Sequence, residues 1–245
     1  MQSKDMRLNY IDNCDCLEGL AQIPDKSVDV IITDPPYFLS MGHAGSKTTA
    51  RALVKNSDML NSNRCFNDLA ICTPFYKQLF AEYARVLKDT GSFYFFTDFR
   101  GYAYYFPLLN AALPVRNLIV WDKIAGPGGF YSFAHEFVVF GTYQSRTKKG
   151  VGSNVWRVQA FSSGAKKTDG EKEHPTQKPV ALIEKMIQDS TEPGAVVLDT
   201  FMGSGTTAVA CLRTGRNYIG FELDEGYLAL AQRRIAETVD QLLNE

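Results

Sequence analysis

Asp34, Pro35, Pro36 and Tyr37 follow the apolar run Val28-Asp29-Val30-Ile31-Ile32-Thr33 and bring a carboxylate, a stiff backbone and an aromatic face within one turn. Each proline fixes φ at about −65°, lacks an N–H and drives the residue before it toward extended geometry, which predicts a rigid turn with outward-facing carbonyls. A carboxylate and a bare carbonyl are two hydrogen-bond acceptors, and a ring beside them stacks on a flat partner. Together they suit an amino group on a planar heterocycle. Taken alone, the same residues also read as a proline-rich turn in which Asp34 caps and Tyr37 packs.

A second constellation lies near the C-terminus. Phe201-Met202-Gly203-Ser204-Gly205 falls where a strand pattern meets a helix pattern, and the glycines admit a small ligand close to the backbone. Asp199 stands at the strand tip before it. Glu222 stands at the tip of the next strand, about 20 residues on, where an acid accepts both hydroxyls of a ribose. A dinucleotide fingerprint has a third glycine where Ala208 stands, and an acid at position 199 would repel a pyrophosphate. A cationic sulfonium or an ammonium would be attracted by it. The pattern therefore favours S-adenosylmethionine over NAD.

These groups must be held by the elements around them. Residues 8–11 open as a short strand, Cys16, Leu17, Leu20 and Ile23 give an amphipathic turn, and residues 28–33 read as a buried strand. Residues 39–67 are polar, aperiodic and rich in glycine, serine and asparagine, as expected of a long functional loop or lid. Thr73-Pro74 predicts a cap followed by proline at the first helical position, with Tyr76, Leu79, Phe80, Tyr83, Val86 and Leu87 on one face until Asp89-Thr90-Gly91 stops the run. Strands are expected at 92–97, 117–121 and 136–141, with an edge strand at 154–158. A helix beginning at Lys178-Pro179 precedes a strand at 195–199, a helix at 206–213, a strand at 217–221 and a last amphipathic helix capped by Asp224. Strands alternating with helices predict an α/β fold: a mostly parallel twisted sheet, helices on both faces, and ligands at the carboxyl ends of the strands.

The 245 residues, 45% hydrophobic and 22% charged, suit one substantial domain spanning 1–245 rather than two. No apolar run reaches the roughly 20 residues that span a bilayer, and the first residues begin no signal peptide, so a cytoplasmic protein with no membrane association is expected. Cys14, Cys16, Cys65, Cys72 and Cys211 show no paired spacing, which argues for reduced thiols and against a disulfide framework or a metal site. Net charge is −1, yet residues 144–178 hold eight basic residues against three acidic ones, and residues 39–65 hold four against one. Basic segments on an acidic remainder suit a phosphate backbone, although either one alone also reads as an ordinary solvated surface.

With these residues in hand, the chain resembles the amino-methylating DNA methyltransferases of the β arrangement, in which the catalytic segment precedes the cofactor segment. Asp34 to Tyr37 looks like their catalytic motif, His174-Pro175-Thr176-Gln177-Lys178-Pro179 like the motif before the cofactor strand, and residues 199–206 like the cofactor loop. Asp15-Cys16-Leu17 resembles the family's adenine-side contact, with Cys14 where a glycine is usual. Residues 85–96, Trp121-Asp122-Lys123 and His135-Glu136 follow the pattern too. The resemblance implies a Rossmann-like S-adenosylmethionine-dependent methyltransferase with a circularly permuted motif order, bacterial or phage-encoded and associated with the nucleoid through DNA. It carries a basic loop at 39–67 and a target-recognition insertion at 126–174.

Carried over by position, the resemblance implies that Thr176 and Lys178 hold the methionine moiety, and that Phe201, Gly203, Ser204, Gly205 and Thr206 wrap it above Asp199. Glu222 takes the ribose, and Asp15, Cys16 and Leu223 lie near the adenine ring. His174 reads as a turn residue packed on Pro175, and His135 with Glu136 as a strand-edge packing pair. Asp34 and the Pro35 carbonyl would accept the two N–H groups of an adenine N6 amine, Pro36 would stiffen the turn, and Tyr37 would stack on a base flipped out of the duplex. Cytosine N4, an RNA amine, an inactive nucleic-acid-binding module and a dehydrogenase are the rival readings. So short a recognition region implies a short or relaxed target, or a homodimer that shares the reading.

Overall fold

Apolar residues run almost continuously along the inner strands, so the sheet must be covered on both sides, and the intervening helices do this. The computed structural model describes residues 6–35, 69–124, 126, 130–144, 152–160 and 177–244. The elements run β1 (Tyr10–Asp12), α1 (Cys16–Leu20), β2 (Val28–Thr33), α2 (Leu69–Val86), β3 (Leu87–Thr97), α3 (Phe99–Ala112) and β4 (Val115–Asp122). They continue with β5 (His135–Thr142), β6 (Val155–Arg157), α4 (Val180–Ser190), β7 (Val196–Asp199), α5 (Thr206–Thr214), β8 (Asn217–Phe221) and α6 (Glu225–Leu243).

The strands form one sheet in the order β1-β8-β7-β2-β3-β5-β4-β6. Pairing is parallel except where β5 lies antiparallel between β3 and β4. Phe93 and Phe95 point into a core shared with α1, α2 and α3, built around Leu20, Tyr76, Phe80, Tyr83 and Tyr105. Tyr94 and Phe96 point the other way, into a core shared with α4 and α5 through Leu182, Met186, Val209 and Cys211. This is the expected Rossmann-like α/β arrangement with helices on both faces. Residue 34 follows β2 and residue 199 ends β7, so the order of motifs along the chain is permuted while their places in the sheet are adjacent.

Several boundaries differ from expectation for local reasons. Pro74 lies inside α2, not at its first position. Thr73, expected as a cap, instead shares a hydrogen bond of 3.0 Å with the Tyr104 hydroxyl on α3. Helix α2 ends at Val86, and β3 begins at Leu87, ahead of the Asp89-Thr90-Gly91 stop. Leu87 pairs with Val28 and Ser92 with Val30, so the turn-forming residues between them are accommodated as an irregularity in the ladder. The short strand β6 pairs with β4 at the end of the sheet, as its polar surroundings predicted.

Candidate active site

Parallel pairing places the carboxyl ends of β1, β8, β7, β2 and β3 along one edge. The antiparallel β5 contributes its beginning there, opposite the end of β4. Thr33 ends β2 and Thr200 follows β7, and their hydroxyls lie 3.0 Å apart in the buried interior, with the Tyr83 hydroxyl 2.5 Å from Thr200. This hydroxyl cluster pins two strand ends. The Asp34 turn and the glycine loop therefore start side by side.

The loop is built by its own backbone. Gly203 and Gly205 adopt φ of +53° and +80°, and the Gly205 N–H donates to the Met202 carbonyl at 3.0 Å. Helix α6 crosses directly beneath it: a Cβ on Gly205 would meet the Ala231 Cβ at 2.8 Å and its Cα at 3.0 Å. From the same helix Arg234 donates to the Ser204 carbonyl at 2.5 Å, the Ser204 hydroxyl at 3.0 Å and the Thr206 hydroxyl at 3.2 Å. Sequence reasoning missed Arg234, because a charged residue on an amphipathic helix looks like any solvated one.

Three carboxylates converge around this loop. Asp199 is buried, and accepts from the Thr207 hydroxyl at 2.6 Å and the Phe201 N–H at 3.1 Å. Burial pushes it up to about 7 against those hydrogen bonds, and the nearby charges of Asp34 and Glu222 add to the rise. Glu222 is also buried and raised by desolvation, while accepting from the N–H groups of Gly203 at 2.7 Å and Asp224 at 2.9 Å. Ser204, Gly205 and Thr206 are buried, Phe201 packs against the core on the α2 side, and Leu223 is half-buried. Asn13 bridges the chain from β1 to this region by donating to the Glu222 and Leu223 carbonyls at 2.8 and 3.1 Å. Asp15 caps α1 by accepting from the Leu17 N–H at 2.8 Å, with Cys16 buried behind it.

The Asp34 side is organised by a chain of charges. Lys178 donates to Asp34 Oδ2 at 2.6 Å and lies 3.2 Å from Glu136, which in turn accepts from Lys123 at 3.2 Å. The Lys178 ammonium also sits 5.1 Å from the centre of the Phe96 ring. Burial alone would push the Lys178 amine down, but Asp34 and Glu136 outweigh it and hold the amine above its ordinary range. Desolvation likewise opposes the charge on Glu136, and Lys178 and Lys123 overcome it to hold the acid below its ordinary value. His135 and Glu136 are thus not a packing pair at a strand edge. They begin an interior strand and alternate: His135 is exposed with its ring 5.1 Å from Phe137, while Glu136 turns to the two lysines.

Pro35 is buried beside Asp34; Pro36, Tyr37, Thr176 and His174 lie outside the described residues. Cys14, Cys16, Cys72 and Cys211 are free thiols. Among the described residues no cluster of His, Cys, Asp and Glu is arranged to hold a metal ion, and no helix is long and apolar enough to cross a membrane.

Comparison with known proteins bears on this geometry. A type II methyltransferase from Haemophilus influenzae, M.HinfI, is 32% identical over 94% of this chain and 69% of its own length. The crystal structure of an M1.HpyAVI–SAM complex, 27% identical, superposes with a TM-score of 0.65 over 92% of this chain and 98% of that one. The cytosine-N4-specific PvuII DNA methyltransferase shares the fold at 20% identity, with a TM-score of 0.67 over 96% of this chain and 92% of that one. The family model described as DNA methylase matches residues 28–147 and 139–233, a span that contains both the Asp34 turn and the glycine loop. With its two motifs joined at adjacent strand ends, the chain belongs to this N6/N4 DNA methylase family of amino-methylating enzymes.

Proposed function

We propose that this DNA methyltransferase transfers a methyl group from S-adenosylmethionine to the exocyclic N6 amine of an adenine flipped out of the duplex. The carrying observation is the contact between Thr33 and Thr200, which sets the Asp34 carboxylate beside the glycine loop.

The residues around the loop suit the cofactor. Positive charge beside Asp199, Asp34 and Glu222 relieves the mutual repulsion of buried acids, and the open backbone at Gly203 leaves room for a ligand. When bound, S-adenosylmethionine supplies an electrophilic methyl group on a sulfonium. Gly203, Ser204, Gly205 and Thr206 wrap the methionine moiety next to Phe201, and Asp199 answers its charge. Glu222 takes the ribose hydroxyls through lone pairs left after its two backbone hydrogen bonds. Asp15, Cys16 and Leu223 border the adenine ring, and Thr176 completes the methionine side, whereas Lys178, which the resemblance also puts there, is engaged by Asp34 and Glu136.

An aromatic amine is a poor nucleophile because its lone pair is delocalised into the ring. Asp34 accepts one N–H and the Pro35 carbonyl the other, which pyramidalises the nitrogen and directs its lone pair toward the loop. The same acceptors stabilise the positive charge that develops on nitrogen, so catalysis is orientational and electrostatic rather than covalent. Pro36 stiffens the turn and Tyr37 stacks on the base, offsetting the few kcal/mol that flipping costs. A carboxylate rather than a hydroxyl at position 34 favours adenine. Target reading falls to residues 39–67 and 126–174, alone or shared with a second copy of the chain, in a cytoplasm where DNA is at hand.

Incubation with radiolabelled S-adenosylmethionine and unmethylated DNA mixed with RNA, followed by nucleoside analysis, tests this reading. N6-methyladenine is expected. Label in N4-methylcytosine overturns the choice of base, and label only in RNA overturns the polymer.

A further inference from the structure

The ammonium of Lys178 joins two strands that are not neighbours. It contacts Asp34 at the end of β2 and Glu136 at the start of β5, and lies over Phe96 of the intervening β3. The Lys178 side chain is 9% exposed and those of Glu136 and Lys123 are 18% and 14% exposed, so the array is shielded from solvent. A flexible lysine in such a place is fixed by a second anion, because a single carboxylate leaves its position along the strand ends poorly defined. Glu136 supplies that anion, and Lys123, just past the end of β4, fixes Glu136 in turn. Two lysines and two acids alternate, and the array is neutral in sum.

We propose that Glu136 is a positioning residue for methyl transfer: it seats Lys178 so that Lys178 holds the Asp34 carboxylate in its base-gripping orientation. This rests on the reading of Asp34 as the acceptor of the base amine. Glu136 reaches Asp34 through the Lys178 ammonium. The link also ties the catalytic turn to β5, a strand within the 126–174 segment to which target reading is assigned. A carboxylate at the head of β5 thereby holds the catalytic acid at the end of β2, across the intervening β3.

The test is a double-variant cycle on the whole chain with Glu136→Gln, Lys178→Met and the pair. It measures kcat and KM on a DNA duplex, and Kd for S-adenosylmethionine by calorimetry. Glu136→Gln is expected to lower kcat by about 10²-fold, the scale of a small misplacement of a reacting group, with Kd unchanged. Adding Glu136→Gln to Lys178→Met should cost nothing further, and Glu136→Asp should recover part of the loss. An unchanged kcat, losses that multiply in the pair, or a loss confined to Kd overturns the proposal. Should Glu136→Gln melt below the assay temperature, Glu136→Asp decides: reduced kcat with parental Kd supports the proposal, and parental kcat overturns it. Asp34→Asn separates the two layers. If it retains full kcat, the reading of Asp34 fails and takes this proposal with it; if it is inactive while Glu136→Gln is fully active, only the role of Glu136 fails.

Discussion

The Thr207 hydroxyl donates to Asp199 Oδ2 at 2.6 Å, so the acid that ends β7 is held by the first turn of the helix that follows it. That bond eases the ionised form while burial opposes it, and burial prevails: the carboxyl rises from an ordinary 3.8 to about 7. Between those values the folded chain holds a proton that the unfolded chain has released, so stability contributed by this group falls as pH rises through that window. A cationic ligand favours the ionised acid and expels the proton. Affinity for S-adenosylmethionine is therefore expected to strengthen as pH rises toward 7, by up to about tenfold per unit below it, and then to level off. Calorimetry in buffers of different ionisation enthalpy should register proton release near pH 6, and Asp199→Asn should abolish both the release and the slope.

Asp34→Ala is expected to abolish methylation and leave most cofactor affinity intact. A lost preorganised acceptor typically costs about 10²–10³-fold in kcat, so single-turnover kinetics with a saturating duplex is the direct measure. Tyr37→Ala should lose more than Tyr37→Phe, because stacking requires the ring and not its hydroxyl. Equal losses would transfer the role to the hydroxyl.

Arg234 makes three hydrogen bonds to the glycine loop from α6. Hydrogen bonds from a charged donor contribute about 1.5–3 kcal/mol. Arg234→Met is accordingly expected to weaken S-adenosylmethionine binding by about tenfold, with a smaller effect on kcat at saturating cofactor. All three bonds come from Nη1 alone, so Arg234→Lys, whose ammonium carries three N–H donors, should restore part of the affinity. A parental Kd in Arg234→Met would show that the loop holds its shape unaided.

The two loop glycines should respond unequally to alanine. Both have positive φ, but a Cβ on Gly203 finds nothing nearer than the Phe201 carbonyl at 3.9 Å, whereas one on Gly205 meets Ala231. Gly203→Ala is expected to cost about 1 kcal/mol of unfolding free energy from backbone strain alone. Gly205→Ala should cost about 2–4 kcal/mol through strain and the displacement of α6. Urea unfolding of the two variants makes the comparison, and equal costs would remove α6 as the support of the loop.

The strands β2 and β8 were legible to the residue, because short, mostly apolar runs bounded by turn residues leave few alternatives. The beginning of α2 was misread at Pro74, since a cap-and-proline signal is local and α2 is held by its packing against α3 and the sheet. Asp34, Asp199, Gly203, Gly205 and Glu222 could be singled out because each sits at the end of a strand pattern and carries a chemistry of its own. Glu136 reads from the sequence only as a packing residue, and Arg234 could not be singled out. Their importance depends on which neighbours they meet, Lys178 and Lys123 for the one and Ser204 and Thr206 for the other.

Periodicity and turn chemistry in the chain determined an α/β sheet with an acidic turn and a glycine loop at strand ends, since side-chain alternation and backbone preference act over a few residues. Folding alone decided that β2 lies beside β7, placing Thr33 against Thr200, and that a lysine following neither strand reaches Asp34. Partners separated by 167 and 144 residues are chosen by the burial of both sheet faces at once, an energy that belongs to the packed whole and to no single segment.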